Sequence, residues 1–327
     1  MDDQTPTTRV TRLAPSPTGT LHLGNALTFV VNWALARRLG WRVVLRMEDL
    51  DAGRVREGAA QETIDVLRWL GLDWDEGPVV QSADLSPYRE ALERLREAGL
   101  IYPCSATRKE IERAASAPHE SDGETRYPGL NRPGPGKEAD LAAAVSDVLA
   151  DDAYAWRLIV PAGPVAFVDE LLGTQSIDVQ AQVGDFAVAT KAGLPAYQLA
   201  VVVDDARQGV TDVVRGDDLL TSTSRQVLLY QMLGLGDPPR YWHLPLVMGP
   251  DGRRMAKRDD AVRLTTYLDA GAPGERVVGL LAWWAGLTDG REVVSAEQFA
   301  ERLEPDRIAY DPPRFTQEDE RWLMDGV

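Results

Sequence analysis

The chain has 327 residues, enough for about two domains with a sizeable core. Its 35 Lys and Arg stand against 51 Asp and Glu, a formal net charge of −16. That balance disfavours a general DNA coat or a binder of anionic membranes, but leaves room for a local basic cleft. The single cysteine excludes an intrachain disulfide and a Cys-rich metal site. Residues 1–9 lack the basic start and apolar core of a signal peptide, and no apolar run approaches the ~18 residues of a membrane span. A cytoplasmic protein is the expectation.

Residues 9–16 read as a short strand closed by Pro15 and Pro17, and residues 24–38 as a helix with Leu27, Val30, Val31 and Ala34 towards one face and Gly40 as its stop. Residues 42–47 form a second strand with an acidic cluster, Glu48, Asp49 and Asp51, at its carboxyl end, and residues 57–70 a second helix. Strand and helix alternate as in a parallel sheet with covering helices. Ser86-Pro87 opens another helix, with the serine as cap. Residues 105–137 are polar and rich in Gly, Pro and charge, residues 138–150 read as a helix, and residues 154–180 hold short alternating strands. Residues 197–203 read as a buried strand and 211–215 as another, with Asp204 and Asp205 as a capped strand end facing solvent. Thr223–Leu233 is a helix and Leu244–Met248 the last sheet strand; helices return from about residue 262, with Trp283 and Trp284 in an apolar stretch. The fold expected is α/β, a Rossmann-like doubly wound parallel sheet split by an inserted module and followed by a helical C-terminal region.

Two loops carry chemistry. His22-Leu23-Gly24-Asn25 sits between the first strand and its helix, where free amides and the positive dipole end suit phosphate. An imidazole there can donate to a phosphoryl oxygen as charge builds up. Gly252-Arg253-Arg254-Met255-Ala256-Lys257-Arg258 is a glycine-led basic loop in an acidic chain, suited to clamp a polyphosphate. Either alone reads more simply as a capped turn or a solvated charge run. Together they bracket a sheet whose carboxyl edge would hold a nucleotide.

With Thr11-Arg12-Leu13-Ala14-Pro15-Ser16-Pro17-Thr18-Gly19 added, the sequence resembles the class I aminoacyl-tRNA synthetases, in particular the glutamyl branch. His22–Asn25 is similar to the family's HIGH motif with Asn in place of the last histidine, and Arg254–Arg258 to its KMSKS loop, keeping Met255 and Lys257. Arg46-Met47-Glu48-Asp49-Leu50-Asp51 resembles the RIEDTD string of the glutamyl enzymes. The likeness spans residues 9–260, and Tyr197–Asp205 with Gly209–Asp218 narrows it to a shortened paralogue of glutamyl-tRNA synthetase. Roughly 70 residues follow Arg258, too few for a stem-contact region plus an anticodon-binding domain.

The resemblance implies four segments: residues 8–104 and 196–260 as the halves of the catalytic domain, 105–195 as an inserted acceptor-type module, and 261–327 as a helical stem-contact-like region without an anticodon-binding domain. It implies His22 and Lys257 as catalytic residues, and His22, Gly24, Asn25, Arg254, Met255 and Lys257 as the ATP site. Glutamate would be held by Arg12, Ala14, Ser16, Glu48, Tyr197 and Arg215. The residue chemistry agrees: two arginines for two carboxylates, Glu48 for the ammonium, Tyr197 for a hydroxyl. Arg12 would read the side-chain carboxylate and Arg215 lie near the α-carboxylate. The implied reaction is activation of L-glutamate with ATP and Mg²⁺ without tRNA, then transfer to the cyclopentenediol of queuosine at the wobble position of tRNA(Asp). The expected partner is that tRNA's anticodon stem-loop, met by a monomer, with neither DNA nor membrane involved; Arg126, Arg132, Lys137, Arg207 and the clamp loop are the basic residues available to it.

The sequence also departs from the family. Many members hold zinc through a Cys-x-Cys, Tyr-x3-Cys pattern; the matching positions here are Cys104, Ala106, Tyr127 and Asn131. Two thiolates are missing and His119 does not restore the set, so no zinc is expected, Cys104 becomes a small buried residue, and packing by Trp156 and Phe167 must hold the module. Val201 stands where full-length glutamyl enzymes tend to have Asn, as in the shortened paralogue. Three alternatives stay open: a glutamyl-tRNA synthetase that lost its anticodon domain, a non-catalytic nucleotide-binding regulator, and a glutamyl transferase to a small molecule or carrier.

Overall fold

The computed structural model describes residues 8–17, 19, 21–51, 53, 55–115, 126–134, 154–253 and 263–326. In chain order these form β1 (Val10–Leu13), α1 (Leu23–Leu39), β2 (Arg42–Met47), α2 (Ala59–Trp69), β3 (Glu76–Val80), α3 (Ser86–Glu97), β4 (Ile101–Cys104) and α4 (Arg108–Ala114). There follow β5 (Ala155–Leu158), β6 (Val165–Asp169), β7 (Gly173–Ile177), β8 (Ala187–Ala189), α5 (Tyr197–Arg207), β9 (Asp212–Gly216), α6 (Leu220–Leu233) and β10 (Arg240–Leu244). The last elements are α7 (Leu264–Asp269), α8 (Gly274–Trp284), α9 (Ala296–Arg302) and α10 (Gln317–Asp325). The contacts divide the chain into two units: residues 1–82, 210–217 and 240–327, and residues 83–209 and 218–239. No helix among the described residues is long and apolar enough to cross a membrane.

The first unit is built on parallel strands. β2 lies between β1 and β3, parallel to both, and β10 runs parallel to β9. Thr211, just before β9, donates its amide to the Val10 carbonyl at 2.8 Å, which sets β9 against the free side of β1. The order β3–β2–β1 then β9–β10 is that of a doubly wound nucleotide fold, with its crossover beside β1. β1 and β2 are apolar apart from Thr11, Arg12, Arg42 and Arg46, and both are buried but for Arg42 at one end, as strands covered on both faces must be. α1 differs from the one-faced helix expected: every residue from Ala26 to Ala36 is buried except Thr28, because the helix lies between the strands and α9. A helix covered all round is apolar all round, and each fully buried Leu, Val or Phe in it contributes about 1.5–3 kcal/mol. Gly40 ends it in the left-handed conformation, φ 71°, which glycine adopts without strain.

The second unit holds the antiparallel sheet β4–β5–β8, the hairpin β6–β7 and the helices α3, α5 and α6 packed on one another. Trp156 is fully buried and Phe167 nearly so. Asp185 is its polar hub: its carboxylate accepts from Tyr102 Oη at 2.8 Å, Arg132 Nη1 at 2.9 Å and the Val160 amide at 2.9 Å. Burial, and then the Asp185 carboxylate, push the Tyr102 phenol far above its ordinary value, so it stays a donor.

Several expectations need correction. Residues 197–203 belong to helix α5, not to a strand; all side chains from Gln198 to Asp205 are buried, and a run of that kind has no period to separate helix from covered strand. Asp204 consequently faces the interior, where Tyr88 Oη donates to its two oxygens at 3.0 and 2.9 Å. The last sheet strand is Arg240–Leu244 and stops where it was expected to start. Ser86 lies within the first turn of α3 instead of capping it; Asp84 Oδ1 accepts from the Ser86 amide and hydroxyl at 3.0 and 2.6 Å. The helix expected over 138–150 lies outside the described residues.

Candidate active site

Arg12 lies in the middle of the first unit's strands, 5% exposed, on β1. Its backbone is pinned from the covering helix: Asn32 Nδ2 donates to the Arg12 carbonyl at 2.9 Å, and Asn32 Oδ1 accepts from Thr11 Oγ1 at 2.8 Å. The chain then runs through half-buried Ala14 and exposed Ser16. Between them the Pro15 carbonyl accepts the Glu48 amide at 3.0 Å, joining the turn after β1 to the end of β2. The Glu48 carboxylate, 11% exposed, accepts from Nη2 of fully buried Arg46 at 3.2 Å. Of the acidic cluster, Asp49 serves as a local cap, accepting from the Ser82 amide and hydroxyl at 2.9 and 2.5 Å.

His22 is the N-cap of α1. Its Nδ1 accepts from the Asn25 amide at 3.3 Å, and its own amide donates to Asn25 Oδ1 at 3.2 Å. A backbone amide only donates, so the neutral ring carries its proton on Nε2, as a donor must. The asparagine that departs from the HIGH motif thus closes a reciprocal capping box. A Cβ on Gly24 would stand 3.2 Å from Cε1 and Nδ1 of His22, so this position lets the ring lie against the backbone. Arg263 pairs with His22 as an antiparallel bridge, and the Leu264 amide donates to the Leu21 carbonyl at 2.9 Å.

Arg215, 4% exposed, sits on β9 opposite His243 of β10. Its Nε donates to His243 Nε2 at 3.1 Å, and its Cζ lies 5.2 Å from the Tyr241 ring centre. Tyr241 and His243, two apart on one face of β10, stack at 6.1 Å and 15°. Just beyond β9, Tyr310 Oη donates to Asp217 Oδ2 at 3.0 Å.

The carboxyl ends of neighbouring strands and the turns after them therefore carry Arg12, Ala14, Ser16, His22, Gly24, Asn25, Glu48 and Arg215 in one unit. A sheet edge with a helix N-terminus and buried cations is what an anionic nucleotide and a dicarboxylate need. Tyr197 begins α5 in the second unit, 43% exposed. Arg254, Met255 and Lys257 lie outside the described residues. The family described as "tRNA synthetases class I (E and Q), catalytic domain" matches residues 9–322. The chain belongs to this family. Its reaction class is that of an ATP-dependent ligase.

Individual members of the family are close. A protein of Symbiobacterium thermophilum named glutamyl-Q tRNA(Asp) synthetase is 45% identical over 97% of this chain and 98% of its own length. One of Nocardia farcinica with the same name is 49% identical over 84% of each chain. Among solved structures, a glutamate tRNA ligase from Elizabethkingia meningosepticum superposes with a TM-score of 0.79 at 25% identity, over 97% of this chain and 68% of that one.

The positions that match the family's zinc ligands converge in the second unit. Cys104 is fully buried with Tyr102 and Tyr127, and Ala106 packs against them. Cys104 Sγ lies 3.3 Å from both Tyr127 Oη and Asn131 Oδ1, and the Asn131 amide donates to Tyr127 Oη at 3.2 Å. Burial, and then the hydrogen bond with Cys104, raise the Tyr127 phenol, so it stays protonated. Arg157 covers the Tyr127 ring at 3.7 Å. Three arginines offered above to an RNA are engaged within this unit: Arg126 with the Gln180 carbonyl at 3.2 Å, Arg132 with Asp185, and Arg207 with Asp204 at 3.7 Å.

Sequence reasoning missed Asn32 and His243 and gave no role to Arg46, quoted only as part of a motif; the three bond to Arg12, Arg215 and Glu48, which are candidate site residues. Asn32 and His243 are each a single polar residue in an apolar run, and that isolation was the available signal. A lone polar side chain in a covered element is retained only with a partner.

Proposed function

We propose that the chain activates L-glutamate with ATP, bound as its magnesium complex, to glutamyl-adenylate without tRNA, and then passes glutamate to the cyclopentenediol of queuosine at the wobble position of tRNA(Asp). The observation that carries the first half is the presence in one unit of two nearly buried arginines, Arg12 and Arg215, with the largely buried carboxylate of Glu48. Two cations and one anion complement two carboxylates and one ammonium, and planar guanidinium groups grip carboxylates in two-pronged fashion. In this reading Ala14 and Ser16 shape the floor of the pocket. The name shared by the Symbiobacterium and Nocardia relatives supports the acceptor. Val201, buried on α5, agrees with the shortened paralogue.

The chemistry is alignment and charge stabilisation, without a protein nucleophile. An α-carboxylate oxygen of glutamate attacks the α-phosphorus in line; a C–O–P linkage forms and the bond to pyrophosphate breaks. His22 donates from Nε2 and the first amides of α1 add their dipoles, with Lys257 supplying charge on the expelled phosphates. A hydroxyl of the cyclopentenediol then attacks the mixed-anhydride carbonyl, forming an ester and releasing AMP. The tRNA is met through its anticodon stem-loop.

Purified chain with ATP, glutamate and labelled pyrophosphate, but no tRNA, is expected to exchange label into ATP. Added tRNA is expected to take up labelled glutamate, and prior periodate cleavage of vicinal diols to prevent it. Exchange that requires tRNA would point to a shortened glutamyl-tRNA synthetase, and label on a small molecule or carrier would replace the acceptor.

The residues at the zinc-matching positions do not fit a tetrahedral zinc site. They offer one thiol, one phenol, one amide oxygen and a methyl group, already bonded or packed to one another. We expect elemental analysis of pure protein to find zinc far below one atom per chain; stoichiometric zinc would defeat this.

A further inference from the structure

The contact between Arg215 and His243 reaches further than packing. The histidine is fully buried, and its partner strand places it directly beside the arginine. The Nε–H of a guanidinium can only donate, so His243 Nε2 at 3.1 Å is an acceptor and the ring is uncharged. An imidazolium there would lose the bond and bury two cations in contact. The plane of the guanidinium is thus fixed at Nε by His243, with the Tyr241 ring 5.2 Å from Cζ.

We infer that His243 is a positioning residue for amino-acid recognition: a neutral acceptor that orients Arg215 without cancelling its charge. An aspartate or glutamate in its place would hold the fork equally well, but would compete with the substrate carboxylate and leave little net attraction. A neutral ring brings no negative charge of its own to the arginine. The Tyr241 stack against His243 holds the ring in turn. This inference rests on the glutamate-activating reading proposed above.

The test is glutamate-dependent ATP–pyrophosphate exchange by the full chain and three variants, with the KM for glutamate and for ATP measured separately. In His243→Gln the amide oxygen reaches the place of Nε2, and the KM for glutamate is expected to stay within about threefold of the parent. His243→Leu has no acceptor, and the acceptor of His243→Asn stops short; both are expected to raise the KM for glutamate by about tenfold, the scale of one hydrogen bond to a charged group. The KM for ATP is expected to change by less than about twofold, since the bond it depends on is elsewhere. A role in packing alone would not separate Gln from Asn. The inference is overturned by Leu and Asn variants that bind glutamate as the parent does, by a Gln variant as impaired as Leu, by KM values for glutamate and ATP that rise together, or by failure of the Leu and Asn variants to fold. Absence of exchange in the unsubstituted chain would overturn the glutamate reading itself, and this inference with it.

Discussion

Arg12→Ala is expected to cut glutamate activation by at least about 30-fold while ATP binding persists. Arg12 is 5% exposed, so a substrate carboxylate bound against it is largely taken out of water. Removing one member of a buried charged pair costs about 2–5 kcal/mol, because the other charge is left desolvated. That is a loss of roughly 30-fold to more than 10³-fold in kcat/KM for glutamate. ATP is spared because the groups assigned to it, His22 and the amides of α1, lie after the strand and take their geometry from the capping box with Asn25. The bond from Asn32 goes to the backbone carbonyl of residue 12, which alanine retains. Arg12→Lys is expected to recover only part of the loss, since an ammonium restores the charge without the two-pronged fork. Exchange kinetics with steady-state ATP binding check all three points, and unchanged kinetics in Arg12→Ala would remove Arg12 from the pocket.

What could be read from the sequence, and what could not, follows one physical division. β1, α1 and β2 were legible because local signals agree: Pro15 and Pro17 close the strand, Gly40 takes the left-handed stop, and Arg42 to Met47 is apolar between charges. α5 was not, because helix and covered strand bury Leu199 to Val203 equally well and only the surrounding elements decide. β3 passed unseen for the opposite reason. Glu76 and Gly77-Pro78 are exposed, and a proline in a short run argues against a strand unless it lies at an edge, where β3 sits. In the site, Arg12, His22, Glu48 and Arg215 were legible as motif residues with charge suited to a ligand. Asn32, Arg46 and His243 were not, because what each does depends on a neighbour brought close by the fold: the Arg12 carbonyl, the Glu48 carboxylate and the Arg215 Nε. A motif is a pattern along the chain, whereas a contact between distant residues is a pattern only in space.

Lys257→Ala is the second large effect expected, a fall in the rate of adenylation of at least ~10²-fold, the scale of losing one pre-aligned charge stabiliser. Lys257 itself lies outside the described residues, but both flanks of its segment are fixed in the unit that carries His22. On the near side, Met248 is held by the C-terminal segment: its amide donates to the Pro313 carbonyl at 2.8 Å and its carbonyl accepts from Phe315 at 2.9 Å. A tight turn follows, closed by the Gly249 amide on the Arg253 carbonyl at 2.8 Å, with Gly252 at φ 73°. On the far side, Arg263 pairs with His22 itself. The described residues on either side of Lys257 thus belong to the unit that carries His22, the residue assigned here to the phosphates. In a chain of net charge −16, that local cation offsets a field which otherwise repels ATP. The loss is therefore expected in the chemical step, with the KM for glutamate close to that of the parent, because the amino-acid arginines are untouched. Rapid-quench measurement of adenylate formation at saturating ATP isolates that step. A variant that forms adenylate near the parent rate would take the clamp out of the mechanism and leave His22 and the helix amides to carry the charge alone.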